Sequence, residues 1–173
     1  MIITNCGITM QDSELLKPCV MSKDDEDYKK LGKFHTGLDI AAMNVFTMYR
    51  GRVVYIGSEQ SGRTVVVQTG SSFCVCYKRL QTVNVQLNDL LEATCYVGSV
   101  DKYVHVEVYL KDISTWPVRL GQETWYKADA NLLIYGGLQT LYEYAYKQDY
   151  TSDWYDPVDD EAMSEMTDNA EEE

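Results

Sequence analysis

Tyr103-Val104-His105-Val106-Glu107-Val108-Tyr109-Leu110 alternates without a break between two kinds of side chain. Val104, Val106, Val108 and Leu110 are aliphatic, whereas Tyr103, His105, Glu107 and Tyr109 are aromatic or titratable. A β-strand sends successive side chains to opposite faces, so one face of this segment suits a core and the other suits polar chemistry. His105 and Glu107 then project together, with Cβ atoms roughly 6–7 Å apart at two strand rises.

Working outward, the same reading recurs in shorter form. Residues 39–42, 45–48, 51–56, 64–68, 73–80, 83–85, 90–91 and 96–97 are apolar, β-branched or alternating runs. Turn signals such as Ser61-Gly62 and Gly70-Ser71-Ser72 separate them. Short strands at this spacing, in a chain with 14 tyrosines, predict a mainly β protein built as an antiparallel sandwich or barrel. After Trp116-Pro117 the pattern reads as irregular, followed by a short C-terminal helix over residues 138–147 with Tyr142 and Tyr146 four apart. The expected organisation is an irregular N-terminal extension (1–33), a β domain (34–147) and an acidic tail (148–173). The charge run 23–30 within the extension reads as a solvated loop or short helix.

Charge is unevenly spread. Residues 149–173 hold eleven acidic groups and no Lys or Arg, so −11 of the net −12 lies there and the rest of the chain is close to neutral. With no basic patch and a tail that repels phosphate, nucleic acid is excluded as a partner class. No run approaches the roughly 18 apolar residues of a membrane helix. Residues 1–20 lack a basic segment followed by an apolar one, because Asp12, Glu14 and Lys17 interrupt them. The expectation is therefore synthesis in the cytoplasm without a secretion signal. The five cysteines are odd in number and irregular in spacing, which predicts reduced thiols. Cys74 and Cys76 share one strand face, and neither a zinc knuckle nor a redox pair has that spacing. Trp116, Trp125 and Tyr126 are expected to close one end of the β domain. Trp154 and Tyr155, set among acids, read as a docking motif.

Only two histidines occur, His35 and His105. With Asp39 and Glu107 they offer imidazole nitrogens and carboxylate oxygens, the ligand types zinc accepts. By themselves these residues fit equally a loop histidine and a groove histidine with no metal.

The order of short motifs narrows the choice. His35-Thr36-Gly37-Leu38-Asp39 resembles the HxGxD motif of M23 zinc endopeptidases of the LytM, lysostaphin-like type. In the family's order follow Arg50-Gly51-Arg52-Val53-Val54-Tyr55-Ile56-Gly57, then Ser61-Gly62-Arg63-Thr64-Val65-Val66-Val67-Gln68, then Cys76-Tyr77-Lys78-Arg79-Leu80. Residues 83–100 and the segment Val104-His105-Val106-Glu107-Val108 complete the series, and Asp129-Ala130 echoes a trailing Asp-Pro. The resemblance, over residues 34–108, implies a LytM (duplicated-hybrid-motif) β-sandwich or barrel.

It also implies roles. His35 and Asp39 match the first two zinc ligands, and Glu107 stands in place of a histidine as the third. His105 matches a histidine that activates water or polarises the scissile carbonyl, and Arg79 stands where the family has its other catalytic histidine. Two of the five expected site residues are thus replaced. Arg79 stays protonated and cannot serve as a base, and general acid–base help is typically worth about 10²–10⁴ in rate. Two carboxylates also cancel the charge of a divalent ion and weaken it as a Lewis acid. The expectation is a groove without metal, closed by a salt bridge from Arg79 to Glu107 or Asp39, with bound zinc as the alternative. The chain then reads as a degenerate M23 peptidase-like domain serving as a structural or binding component of a bacteriophage tail or virion. Protein partners in a larger assembly, an oligomer and peptidoglycan are the expected contacts. The competing function is an active metallo-endopeptidase cleaving peptidoglycan peptides.

Overall fold

The computed structural model describes residues 2–3, 9–10, 14–71, 73–111 and 113–133. The helix expected over 138–147 and the acidic tail with Trp154 and Tyr155 lie outside the described residues. The strands in chain order are β1 (Ile2–Ile3), β2 (Thr9–Met10), β3 (Glu14–Lys17), β4 (Leu38–Ala41), β5 (Asn44–Phe46), β6 (Gly51–Glu59) and β7 (Gly62–Thr69). They continue with β8 (Phe73–Leu80), β9 (Thr82–Val83), β10 (Leu90–Leu91), β11 (Tyr96–Ser99), β12 (Tyr103–Leu110), β13 (Pro117–Leu120) and β14 (Glu123–Ala128). All their pairings are antiparallel.

The main sheet runs β10-β6-β7-β8-β12-β14-β13, with β4 also on β12 and β3 on β4. A smaller sheet, β5-β11-β9, supplies Val45 and Val97 to the same core. The sheets remain open, so the expectation of a sandwich or barrel resolves to a sandwich. Strand β12 is the spine. Its aliphatic face, Val104, Val106, Val108 and Leu110, is buried with Leu38, Ile40, Val65, Val67, Val75 and Tyr77. Burying each such side chain contributes about 1.5–3 kcal/mol, which pins the register and therefore sends His105 and Glu107 to the other face.

One edge of β12 is shared by two strands. Strand β4 pairs with Tyr103 through Val106, and β14 pairs with Val108 through Leu110. Glu107 is where the two neighbours part.

Two parts of the chain differ from the sequence reading. The stretch after Trp116-Pro117 is a regular hairpin, β13–β14, followed by a 3-10 turn, Ala130–Leu133. Its two-residue connection begins at Gly121, whose φ of 61° is the left-handed conformation such turns require. Trp125 secures it, 1% exposed in a second small core with Val66, Cys74, Cys76 and Tyr109. The residues assigned to an extension also join the domain, because β3 pairs with β4, and Cys19 and Val20 are fully buried. The charge run contains a helix, α1 (Glu26–Leu31), capped by the Asp25 carboxylate and ended at left-handed Gly32. Cys19, Cys74, Cys76 and Cys95 are free thiols. Among the described residues no helix is long and apolar enough to cross a membrane.

Candidate metal centre

His35 follows α1 and is held by a short strap of chain before the helix. Val20 and His35 exchange backbone hydrogen bonds, Val20 N–H to His35 O at 2.7 Å and His35 N–H to Val20 O at 3.0 Å. The ring is fixed by the same strap, its Nδ1 lying 2.7 Å from the Pro18 carbonyl. A carbonyl only accepts, so Nδ1 carries a proton toward it and Nε2 is the nitrogen turned to Asp39. Nε2 faces Asp39, 3.3 Å from Oδ1.

Asp39 lies on β4 directly opposite His105 on β12. His105 Nδ1 is 2.7 Å from the same Asp39 Oδ1, and the two imidazoles meet edge to face at 5.1 Å between centroids. One donor atom each from His35, Asp39 and His105 falls within 4.8 Å of the others. A glycine permits this approach. A Cβ on Gly37 would stand 2.6 Å from His105 Nε2 and 2.6 Å from the Val106 carbonyl, closer than nonbonded atoms tolerate.

Glu107 is differently placed from the sequence expectation. It is 2% exposed, and its carboxylate is taken up by protein groups. Oε1 accepts from Thr36 Oγ1 at 3.2 Å and from Lys127 Nζ at 3.1 Å, and lies 3.2 Å from His105 Nε2. Oε2 accepts from Tyr109 OH at 2.5 Å and lies 3.7 Å from Lys78 Nζ. The ligand-capable group therefore contains His105 where the resemblance implied Glu107. Physically, Glu107 reaches the outer nitrogen of the His105 ring while Asp39 reaches the inner one.

The expected salt bridge from Arg79 is also replaced. Arg79 lies over the Tyr103 ring at 4.3 Å, and the cations on Glu107 are Lys127 and Lys78. The cause is local: the β7–β8 register shifts between Arg63 and Val65, and Arg79 takes a φ of 73°. A bulge of this kind re-aims a side chain.

Burial works against the charged form of both carboxylates, yet both are held below the ordinary range. For Asp39 the hydrogen bonds from His105 and His35 outweigh burial. For Glu107 the bonds from His105 and Tyr109, with the charges of Lys78 and Lys127, bring it from 4.5 to about 2. His105 is raised despite burial, because Asp39 and Glu107 flank it. Burial next to Cys76 and Glu107 pushes the Tyr109 phenol up, so it stays a donor.

Neither lysine nor the Pro18 carbonyl is signalled by a sequence motif. Lys78 shares a strand face with Cys74 and Cys76 and pairs across from His105. Lys127 pairs across from Tyr109, which only recognition of the Gly121 hairpin would have revealed. The aromatic residues divide: Trp125 is packed, while Trp116 is 38% exposed and meets Phe34 edge-on at 5.1 Å.

The donor set suits zinc, which takes two imidazoles and a carboxylate with an open fourth position in hydrolytic sites. Both rings present an inner nitrogen to Asp39 and commit the outer one to a carbonyl or carboxylate, the arrangement that orients metal-ligating histidines.

Comparison with known proteins bears on the fold. Residues 33–113 match the model of Peptidase family M23. No curated protein sequence matches the chain. Among solved structures of similar fold is a point mutant of the catalytic domain of the prophage-encoded M23 protein EnpA from Enterococcus faecalis, at 20% identity and TM-score 0.50, covering 60% of this chain and 85% of that one. The SpoIIQ–SpoIIIAH pore-forming complex matches with TM-score 0.60 at 13% identity, over 82% of this chain and 93% of that one. A zinc-containing peptidase from Vibrio cholerae matches with TM-score 0.52 at 15% identity, over 70% of this chain and 37% of that one.

Proposed function

We propose, from the premise that residues 33–113 form an M23-type domain of the LytM fold, that this chain is a metal-binding but catalytically reduced member of that group, acting as a binding component. The observation that carries the reading is the contrast at one site. His35, Asp39 and His105 keep three donor atoms within 4.8 Å, whereas Arg79, standing where the family places a catalytic histidine, is stacked on Tyr103. Zinc held by the three residues would supply Lewis acidity and an acidified water. No described side chain beside the cluster offers a free base: Glu107 is saturated and Lys78 and Lys127 are its cations.

The partner side of the reading draws on the relatives. One structure of this fold is solved in a complex with another protein, SpoIIIAH, and another is prophage-encoded. A bacteriophage tail or virion role, with protein partners, is the proposal they support. The cluster itself supports a second reading, a metallo-endopeptidase acting on peptidoglycan peptides.

Elemental mass spectrometry of the purified full chain, beside cell-wall clearing with added zinc, tests both. One zinc per chain, lost in His35→Ala and accompanied by no clearing, is the expected result. Clearing abolished by His35→Ala would establish the peptidase instead, and absence of zinc from the parent would remove the metal reading.

A further inference from the structure

We infer that the chain on either side of the M23-matching segment is a working part of the metal centre: each ligand imidazole is oriented by a group that residues outside 33–113 hold in place. This rests on the metal reading above and extends it to Lys127 and Asn131 as positioning residues.

The first arm reaches His105. Lys127, on β14, donates to Glu107 Oε1 at 3.1 Å and lies 3.1 Å from Thr36 Oγ1. Glu107 Oε1 is in turn 3.2 Å from His105 Nε2. A carboxylate at Nε2 keeps a proton there, so Nδ1, the nitrogen facing Asp39, is the one a metal would take. Glu107 has no β-strand neighbour on this edge, since β4 ends its pairing at Val106 and β14 begins at Val108. The side chains of Lys127 and Thr36, one from each neighbouring strand region, close that gap on the same oxygen.

The second arm reaches His35. Its Nδ1 is committed to the Pro18 carbonyl, on a strap that precedes the matching segment. The strap is clamped by Asn131, in the 3-10 turn after β14. Asn131 Oδ1 accepts from Cys19 N–H at 3.0 Å and its Nδ2 donates to the Cys19 carbonyl at 2.8 Å. The Asn131 amide therefore holds both peptides that flank Cys19, one of which carries the Pro18 carbonyl that meets His35 Nδ1. Asp129 supports the clamp, its Oδ1 accepting from Asn131 N–H at 3.0 Å.

The two arms start within one short stretch, Lys127 to Asn131, and end on the two imidazoles. Outer partners of metal-ligating histidines are typically worth about 10–100-fold in metal affinity.

The test uses the full chain as Lys127→Met, Lys127→Arg and Asn131→Leu, with zinc affinity from chelator competition and the ligand-field spectrum of the cobalt(II)-substituted protein. Lys127→Met and Asn131→Leu are each expected to weaken zinc by about 10–100-fold and to alter the cobalt spectrum, with Lys127→Arg close to the parent. Thermal melts without metal separate positioning from unfolding, and Lys127→Met decides alone if Asn131→Leu does not fold. Parent-like affinity and spectra in Lys127→Met overturn the inference while leaving the metal reading standing. A parent that binds neither zinc nor cobalt defeats the metal reading first, and this inference with it.

Discussion

Asp39 and Glu107 sit on paired strands, are 4% and 2% exposed, and each lies against one nitrogen of His105. Their surroundings differ in kind. Asp39 is faced by two imidazoles, groups that can take a metal. Glu107 meets only one of these imidazoles, His105, and is otherwise faced by the fixed donors Lys127, Lys78, Tyr109 and Thr36. A carboxylate whose neighbours are titratable ligands can exchange them for an ion. One already saturated by fixed donors can only orient what it touches. The pair shows that residue type names a candidate ligand, and the neighbours decide whether it is one.

The sharpest way to break this comparison is to delete each carboxylate. Glu107→Ala strands two ammonium groups and a buried phenol, and is expected to cost about 3–5 kcal/mol in denaturant unfolding of the metal-free protein. Asp39→Ala is expected to cost about 2 kcal/mol, because it strands no ammonium group, yet to abolish zinc uptake. Equal losses of stability would mean the two sites do not differ as described.

Gly37→Ala probes the approach of His105 to Asp39. The added methyl meets the His105 ring and the Val106 carbonyl, each at 2.6 Å. Overpacking of this kind costs about 1–3 kcal/mol, and moving the ring should weaken zinc binding more than it weakens the fold. Unchanged zinc affinity in this variant would show that His105 is not a ligand.

Acidity separates the two charge systems. Glu107 is lowered to about 2 from 4.5, so its contribution is present above pH 4.5 and lost as pH falls toward 2. His105 is raised above 6.5, so its contribution is full below pH 6.5 and lost as pH rises through its raised value. The metal-free melting temperature should therefore be highest between pH 4.5 and 6.5. Zinc should remove the alkaline decline, since it takes the deprotonated imidazole. A melting temperature that keeps rising from about pH 6 to about pH 9 with chelator present would contradict the His105 environment.

The smallest effect is expected at Arg79. Arg79→Gly relieves a left-handed residue, worth about 1 kcal/mol, and removes a cation–π contact at a half-buried site, worth about 1 kcal/mol. Stability should stay within about 0.5 kcal/mol of the parent with zinc uptake unchanged. A large loss of zinc would place Arg79 inside the centre.

Much of this protein was written locally. Alternation in Tyr103–Leu110 determined a strand and put His105 and Glu107 on its polar face, because the period of two is a property of extended backbone itself. The resemblance of His35-Thr36-Gly37-Leu38-Asp39 to the HxGxD motif pointed to one corner of the candidate centre, and the short strands and turns predicted an antiparallel sandwich or barrel. The hairpin β13–β14 was not legible because its alternation is carried by mixed residues, Glu123 to Ala128, and only burial of Trp125 against Cys74 and Cys76 shows which face is inside. The tertiary structure alone decided that Asp39 lies opposite His105, that Lys127 lies opposite Tyr109, and that the Pro18 carbonyl reaches His35. These are contacts between segments 17 to 66 residues apart along the chain. Which of two neighbouring carboxylates is left for a metal depends on strand register and donor supply. Both are set by the packing of the whole sheet, and no local window of sequence contains them.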